Sequence, residues 1–235
     1  MNLTLGLALA VVSLTAHAGD IGVAPLRVEL SPAVKSAVVT VTGKTGPGQF
    51  LQVTLRRWSQ DAQGKDRYED SEDLVFLPKT IDLNKTGKQL VRVGLEKPVT
   101  EIEKTYRLFI RETPPPVDPR GKSAQIAVVV DFGLPVFVMP AKPVRSAQFE
   151  DIVVDKGQLS VRLVNTGNVR LKLVSLTAGK AKFKEFKEWY LLAGASQRYT
   201  ASLAGGACKG PVAVELRTET ITVKRDIAVT PQMCG

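Results

Sequence analysis

A-Q-I-A-V-V-V-D-F-G-L-P-V-F-V, residues 124–138, carries an apolar side chain at every even position: Ile126, Val128, Val130, Phe132, Leu134, Val136 and Val138. Its odd positions include Gln125, Asp131, Gly133 and Pro135. Alternation with period two marks a β-strand with one apolar face. At about 3.3 Å per residue the stretch would extend on the order of 50 Å, whereas strands of globular domains usually run about five or six residues. The spacing therefore predicts a strand that outruns its own sheet.

Working outward, Thr113-Pro114-Pro115-Pro116-Val117-Asp118-Pro119-Arg120-Gly121-Lys122 precedes this strand. Consecutive prolines lack the amide donors of a ladder, so an exposed hairpin loop is expected there. Pro140-Ala141-Lys142-Pro143 follows and reads as a stiff linker, which puts a domain boundary near residue 141. Before the loop come alternating runs at Val23–Leu30, Ala37–Thr42, Phe50–Trp58, Leu74–Leu77, Gln89–Leu95 and Tyr106–Glu112. The pattern restarts after the linker at Gln148–Val154, Leu159–Asn165, Arg170–Thr177, Arg198–Leu203, Val212–Thr218 and Ile221–Val229. Turn sequences such as Asp61-Ala62-Gln63-Gly64 and Asp155-Lys156-Gly157 fall between runs. Short strands at this spacing predict an all-β protein of two sandwiches, residues 19–140 and 141–235. Only Lys182–Leu192 offers a competing helical pattern, and it is short and aromatic.

Residues 1–18 are apolar, carry no charged side chain and end in Ala16-His17-Ala18, the small-x-small pattern of a cleaved secretory signal peptide. An uncleaved anchor is the other reading, disfavoured by the short run and by the lack of a second spanning stretch, so no membrane insertion is expected. In an oxidising compartment the two cysteines, Cys208 and Cys234, are expected to pair and tie down the C-terminus; two buried thiols are the alternative. The net charge of +9 is scattered and not interleaved with aromatics, which argues against nucleic acid and fits an acidic protein partner or the chain terminus of one.

Catalytic chemistry finds little support. The single histidine, His17, lies in the expected signal segment, so triads, Cys-His pairs and histidine metal sites are not available to the exported chain. There is no G-x-S-x-G, Walker loop or dinucleotide fingerprint, and no cofactor or small-molecule substrate is implied. Asp70, Glu72 and Asp73 could form a carboxylate pair, but their polar surroundings read as a solvated face. A non-enzymatic protein is expected. A secreted two-domain adhesion or carbohydrate-binding module is the alternative, and it would need an exposed aromatic platform or metal-binding loops.

Tyr106-Arg107-Leu108-Phe109-Ile110-Arg111-Glu112-Thr113-Pro114-Pro115 is similar to the R-E-x-P-P strand end of periplasmic pilus-assembly chaperones of the PapD-like, chaperone–usher kind. Leu134–Pro140, Leu26-Arg27-Val28, Trp58 and Val91-Arg92-Val93 match the same family in the right order, and the resemblance covers nearly the whole exported chain. The resemblance implies two immunoglobulin-like β-sandwich domains joined by a short linker at an angle. It also implies a periplasmic chaperone that binds pilin-like subunits by donor-strand complementation and delivers them to an outer-membrane usher. The lent side chains would be Ile126, Val128, Val130 and Phe132. Fully burying each is worth about 1.5–3 kcal/mol, so four amount to roughly 6–12 kcal/mol. The same residues would otherwise fill the core of an ordinary sandwich.

In this family an arginine of the first strand and a lysine of the donor strand hold the subunit's terminal carboxylate. Arg27 matches the first. The lysine position falls on Gly133 or Pro135, and no lysine lies between 123 and 141, which suggests a divergent branch. Arg111 or Arg107 is the expected substitute. Arg92 and Glu112 match the family's interdomain ion network, with Met139 in place of its third basic member.

Overall fold

The computed structural model describes residues 21–45, 49–61, 63–84, 86–113, 129–183, 186–187, 189–203 and 210–234. Among these there is no α-helix, and none long and apolar enough to cross a membrane. In the first domain the strands are β1 Gly22–Ala24, β2 Val28–Leu30, β3 Ser36–Thr42, β4 Phe50–Gln60, β5 Asp66–Asp70, β6 Leu74–Leu77, β7 Thr80–Asp82, β8 Lys88–Leu95, β9 Lys104–Thr113 and β10 Asp131–Val138. One sheet has the order β1-β3-β8-β6 and the other β2-β10-β9-β4-β5, with β7 on β4. The expected single strand Val23–Leu30 is broken at Pro25, where the chain passes from one sheet to the other. Proline cannot donate to a ladder, so the crossing falls where no ladder bond is needed.

Between the sheets lie the alternate residues of each strand, among them Leu51, Val53 and Leu55 of β4, Tyr106, Leu108 and Ile110 of β9, and Leu134, Val136 and Val138 of β10. The second domain contains β11 Ala147–Asp155, β12 Gln158–Asn165, β13 Leu171–Ala178, β14 Ala181–Lys182, β15 Tyr190–Leu191, β16 Ser196–Ser202, β17 Gly210–Thr218 and β18 Thr222–Val229, closed by a 3-10 turn at Pro231–Cys234. Its sheets run β11-β12-β16 and β14-β13-β17-β18, with β15 on β13, around a separate core. The described residues of Lys182–Leu192 hold no helix: Lys182 ends β14 and Tyr190–Leu191 form β15.

β5 escapes a sequence reading because Asp-Arg-Tyr-Glu-Asp has no apolar alternation. It exists because the Asp61 turn folds it onto β4: the Asp61 carboxylate accepts from the backbone amides of Gln63 (3.0 Å) and Lys65 (2.9 Å).

The expectation of a solvated acidic face fails at Asp73. Asp70 and Glu72 are exposed, but Asp73 is only 5% exposed and accepts from Arg57 (2.6 Å) and Tyr106 Oη (2.8 Å), with Lys97 at 3.0 Å and Lys104 at 3.5 Å. Burial alone would push this carboxyl up. The bonds from Arg57, Lys97 and Tyr106, with the charge of Lys104, outweigh it and hold Asp73 well below the usual carboxylate range. A depressed carboxylate adds stability above its unfolded value of about 3.9, and that stability is lost as pH falls below it. Asp73→Asn is therefore expected to lose about 2 kcal/mol at pH 7 and to show a flatter acid limb than the unaltered chain in thermal unfolding from pH 7 to pH 3. Parallel acid limbs in the two proteins would count against this assignment.

Candidate functional site

Two features meet where the domains face each other. The first is a sheet edge left open among the described residues. β10 pairs with β9 along its whole length, from Asp131↔Arg111 to Val138↔Lys104, but with β2 only over Val136–Val138. The amide of Glu112 donates to the carbonyl of Val130 (2.9 Å) and the amide of Met139 to Leu30 (2.8 Å). Because strand groups alternate, the even positions of β10 turn their backbone to β9, and the odd ones turn theirs to β2 or, where β2 is lacking, outward. Asp131, Gly133 and Pro135 therefore present the free edge. Pro135 has no N–H, which blunts the edge next to β2.

Val130 and Phe132 are half-buried and pack against the first core. Ile126 and Val128, the other two expected donor residues, lie outside the described residues, as does the first third of the long predicted strand, 124–128; its described part is strand over Asp131–Val138. Cys208 lies outside them too, while Cys234 packs against the second core.

The second feature is an aromatic junction. Trp58 of β4 and Phe137 of β10 meet Tyr190 and Leu192 of the second domain in a small core of their own. Tyr190 lies edge-on to Phe137 (5.1 Å between centroids) and to Trp58 (6.0 Å), and Trp189 lies 6.1 Å from Trp58. Gln60 stitches the junction, donating to the Tyr190 carbonyl (2.9 Å) and accepting from the Leu192 amide (3.0 Å). Both tryptophans of the chain are thus in one place, which their distance in sequence conceals. Trp58, Phe137 and Tyr190 are buried, so this is not the exposed platform a carbohydrate-binding module would show.

Arg107 sits on that junction. Alternation on β9 puts Tyr106, Leu108 and Ile110 in the core and turns Arg107, Phe109 and Arg111 to the opposite face. Arg107 is nevertheless only 5% exposed. Its guanidinium carbon lies 4.4 Å from the Trp58 ring and 4.9 Å from Trp189, and Nη1 donates to the carbonyl of Gly133 (2.8 Å). Nε has no partner, and among the described residues no carboxylate pairs with this cation.

Gly133 borders this arginine: a Cβ there would lie in ordinary van der Waals contact with Arg107 Cδ and Phe109 Cε1, each at 3.4 Å.

The other two expected anchors differ. Arg27 stands beside the junction at the start of β2, half exposed, with Glu29 at 3.2 Å and Glu219 of the second domain at 3.5 Å. The Tyr190 hydroxyl and these two carboxylates raise its pKa further. Arg111 does not join the junction. It lies about four residues further along β9, roughly 13 Å at strand rise, and its guanidinium grips Asp131 (2.9 and 2.6 Å).

The interdomain ion network also differs from expectation. Arg92 is exposed on β8, and Glu112 bonds to Val130 at the far end of β9. The junction is held instead by Arg170 of the second domain. Its Nη1 donates to Glu103 and to Met139 Sδ (3.2 Å), its Nη2 donates to Glu29, and its carbon stacks 3.6 Å over Phe137. The Glu103 side chain is fully buried, and burial pushes its carboxyl up despite the opposing pull of Arg170. A chain of alternating charge results: Glu219, Arg27, Glu29, Arg170, Glu103. Asn168 adds hydrogen bonds to Glu101 (2.8 Å) and from Glu103 (2.9 Å).

The model of the pili and flagellar-assembly chaperones, PapD N-terminal domain, matches residues 20–143. No curated protein matches in sequence. Among solved structures, one similar chain comes from the pre-assembly complex of a chaperone and tip adhesion subunit of the archaic chaperone-usher Csu pili of Acinetobacter baumannii. It has TM-score 0.62 and 16% identity, covering 88% of this chain and 97% of that one. The Escherichia coli chaperone DraB is similar at TM-score 0.57 and 18% identity, covering 90% and 99%. A chain of the Salmonella enterica SafA pilin–SafB chaperone complex is similar at TM-score 0.60 and 12% identity, covering 90% and 98%. At these identities the likeness is one of fold: two immunoglobulin-like sandwiches.

Proposed function

Since the chain belongs to the PapD-like pilus-assembly chaperones, we propose that it is a periplasmic chaperone that lends the β10 edge to a pilin-like subunit and delivers that subunit to an outer-membrane usher. One observation carries this reading. The free backbone edge of β10 at Asp131, Gly133 and Pro135 ends beside Arg107, a buried cation without a carboxylate among the described residues.

A client strand added along that edge in the direction of β10 arrives at the junction with its C-terminus. Its ladder stops where Pro135 has no donor and β2 begins. There Arg107, already tied to the Gly133 carbonyl, and Arg27 offer guanidinium groups to the terminal carboxylate. Arg–carboxylate pairing in a low-dielectric cleft is strong and directional. Val130 and Phe132, continued by Val128 and Ile126, supply the alternating apolar side chains that complete the client's core. No nucleotide is needed, because folding of the captured subunit supplies the free energy.

The test is co-expression with a pilin-like subunit and recovery of the complex on a tag carried by this chain. The unaltered chain is expected to bring the subunit down, and Arg27→Ala or Val128→Asp to lose it. Equal yields from all three would remove the mechanism. Export through residues 1–18 and pairing of Cys208 with Cys234 belong to the same reading. The exported protein, alkylated without reductant, should gain no mass; gain at both cysteines would refute the pairing.

A further inference from the structure

We infer that Trp189, contributed by the second domain, is a positioning residue for the carboxylate anchor, so that the anchor is assembled from both domains. This rests on the reading of Arg107 given above.

A guanidinium carries all its N–H donors in one plane, and its two faces are the surfaces that stack on aromatic rings. Two indoles lie against the guanidinium, Trp58 at 4.4 Å from its own sheet and Trp189 at 4.9 Å from across the junction, and the Tyr68 hydroxyl is within hydrogen-bonding reach of the same side chain. The two ring centroids are 6.1 Å apart, so the indoles flank the guanidinium at roughly a right angle and leave donors for hydrogen bonds. Of these, Nη1 is bound to Gly133, whereas Nε is buried and without a partner. Nε is thus a donor left without a bond in the free protein.

Trp58 is fixed in the interdomain core. Trp189 is held at its backbone, where its carbonyl accepts from the amide of Leu173 on β13 (2.8 Å) and the next residue, Tyr190, pairs with Lys172. Trp189 is 38% exposed, too open to be explained as core. Its contacts are Arg107, Trp58 and Tyr190, all parts of the junction. Removing the ring uncovers one flank of the guanidinium, admits water to it and lets the side chain swing away from the Gly133 carbonyl. Carboxylate recognition then weakens, while the strand edge, which lies on β10, is untouched.

The experiment compares two probes on the full exported chain. One is a synthetic peptide alternating valine and threonine with a free C-terminal carboxylate, and the other is the same peptide as its C-terminal amide. Binding is followed by calorimetry, and the readout is the ratio of the two affinities. In the unaltered chain the carboxylate form should bind more tightly. Trp189→Ala should cut that preference about tenfold with the amide affinity unchanged, and Trp189→Phe, which keeps a ring face, should restore most of it. A preference that falls in Arg107→Ala and persists in Trp189→Ala would overturn this inference alone. Equal binding of both peptides by the unaltered chain, or binding of neither, would overturn the reading of the cleft on which it rests.

Discussion

Arg107→Ala is expected to abolish capture of a pilin-like subunit while leaving the chaperone as stable as before, or more so. Both halves follow from one fact: this cation is 5% exposed and, among the described residues, has no carboxylate partner. A buried charge with incomplete pairing costs the free protein several kcal/mol, recovered in part from its two indoles and the Gly133 carbonyl. Alanine removes the cost together with the compensation, so the midpoint of thermal unfolding should stay the same or rise. The client's terminal carboxylate, however, loses its buried partner. Truncating one side of such a pair typically costs about 2–5 kcal/mol of binding, or some 30-fold to several thousandfold in affinity. Arg107→Lys should recover little, because a compact ammonium cannot both keep the guanidinium's contacts with the two indoles and hold Gly133. A drop of several degrees in unfolding midpoint with client recovery intact would mean that Arg107 is structural.

Arg170→Ala should give the largest loss of stability of any single change at the domain junction. Glu103 has a fully buried side chain, and Arg170 gives it both a backbone and a guanidinium hydrogen bond. Without the guanidinium, the carboxylate keeps its desolvation and loses its counter-charge, which costs about 3–5 kcal/mol. The pH dependence identifies the cause. Burial already raises the folded-state pKa of Glu103 above its unfolded value, and loss of Arg170 raises it further. A group raised in this way is most favourable below its unfolded value, about 4.3 for glutamate, and loses that advantage as pH rises through the folded value. The variant should therefore be worst at neutral pH and recover toward the unaltered chain as pH falls toward 4.3, a trend that unfolding midpoints across that range would reveal. Glu103→Gln combined with Arg170→Ala should remove most of the pH trend. A deficit independent of pH would assign the effect to the lost stacking on Phe137.

Much of the fold was legible because burial on one face writes a period of two into the sequence. Leu51, Val53 and Leu55, or Tyr106, Leu108 and Ile110, announce their strands and their inward faces unaided. What failed to announce itself was polar. β5 has no apolar alternation, and Asp73 looks like its exposed neighbours until its cationic and hydroxyl partners converge on it from other strands.

The site was legible in part. The sequence shows that Arg107 and Arg111 share a face of one strand, but not which of them the second domain covers. That depends on Trp189 and Tyr190, some eighty residues away. The Glu29–Arg170 pair spans 141 residues and carries no local signal. Gly133, one of the two positions where the lysine is expected, lies instead in van der Waals range of the Arg107 side chain and accepts a bond from its guanidinium.

The central claim is that the client pairs with the open edge of β10, and the backbone amides of that edge report on it directly. Asp131 and Gly133 turn their N–H groups outward, beyond the reach of β2, whereas those of Phe132 and Leu134 face β9. Residue-resolved hydrogen exchange on the free chaperone and on its purified complex with a pilin-like subunit separates the two sets. The account predicts that Asp131 and Gly133 exchange fast in the free protein and become strongly protected in the complex, with Phe132 and Leu134 protected in both. Fast exchange at Asp131 and Gly133 in a complex that stays intact would contradict it.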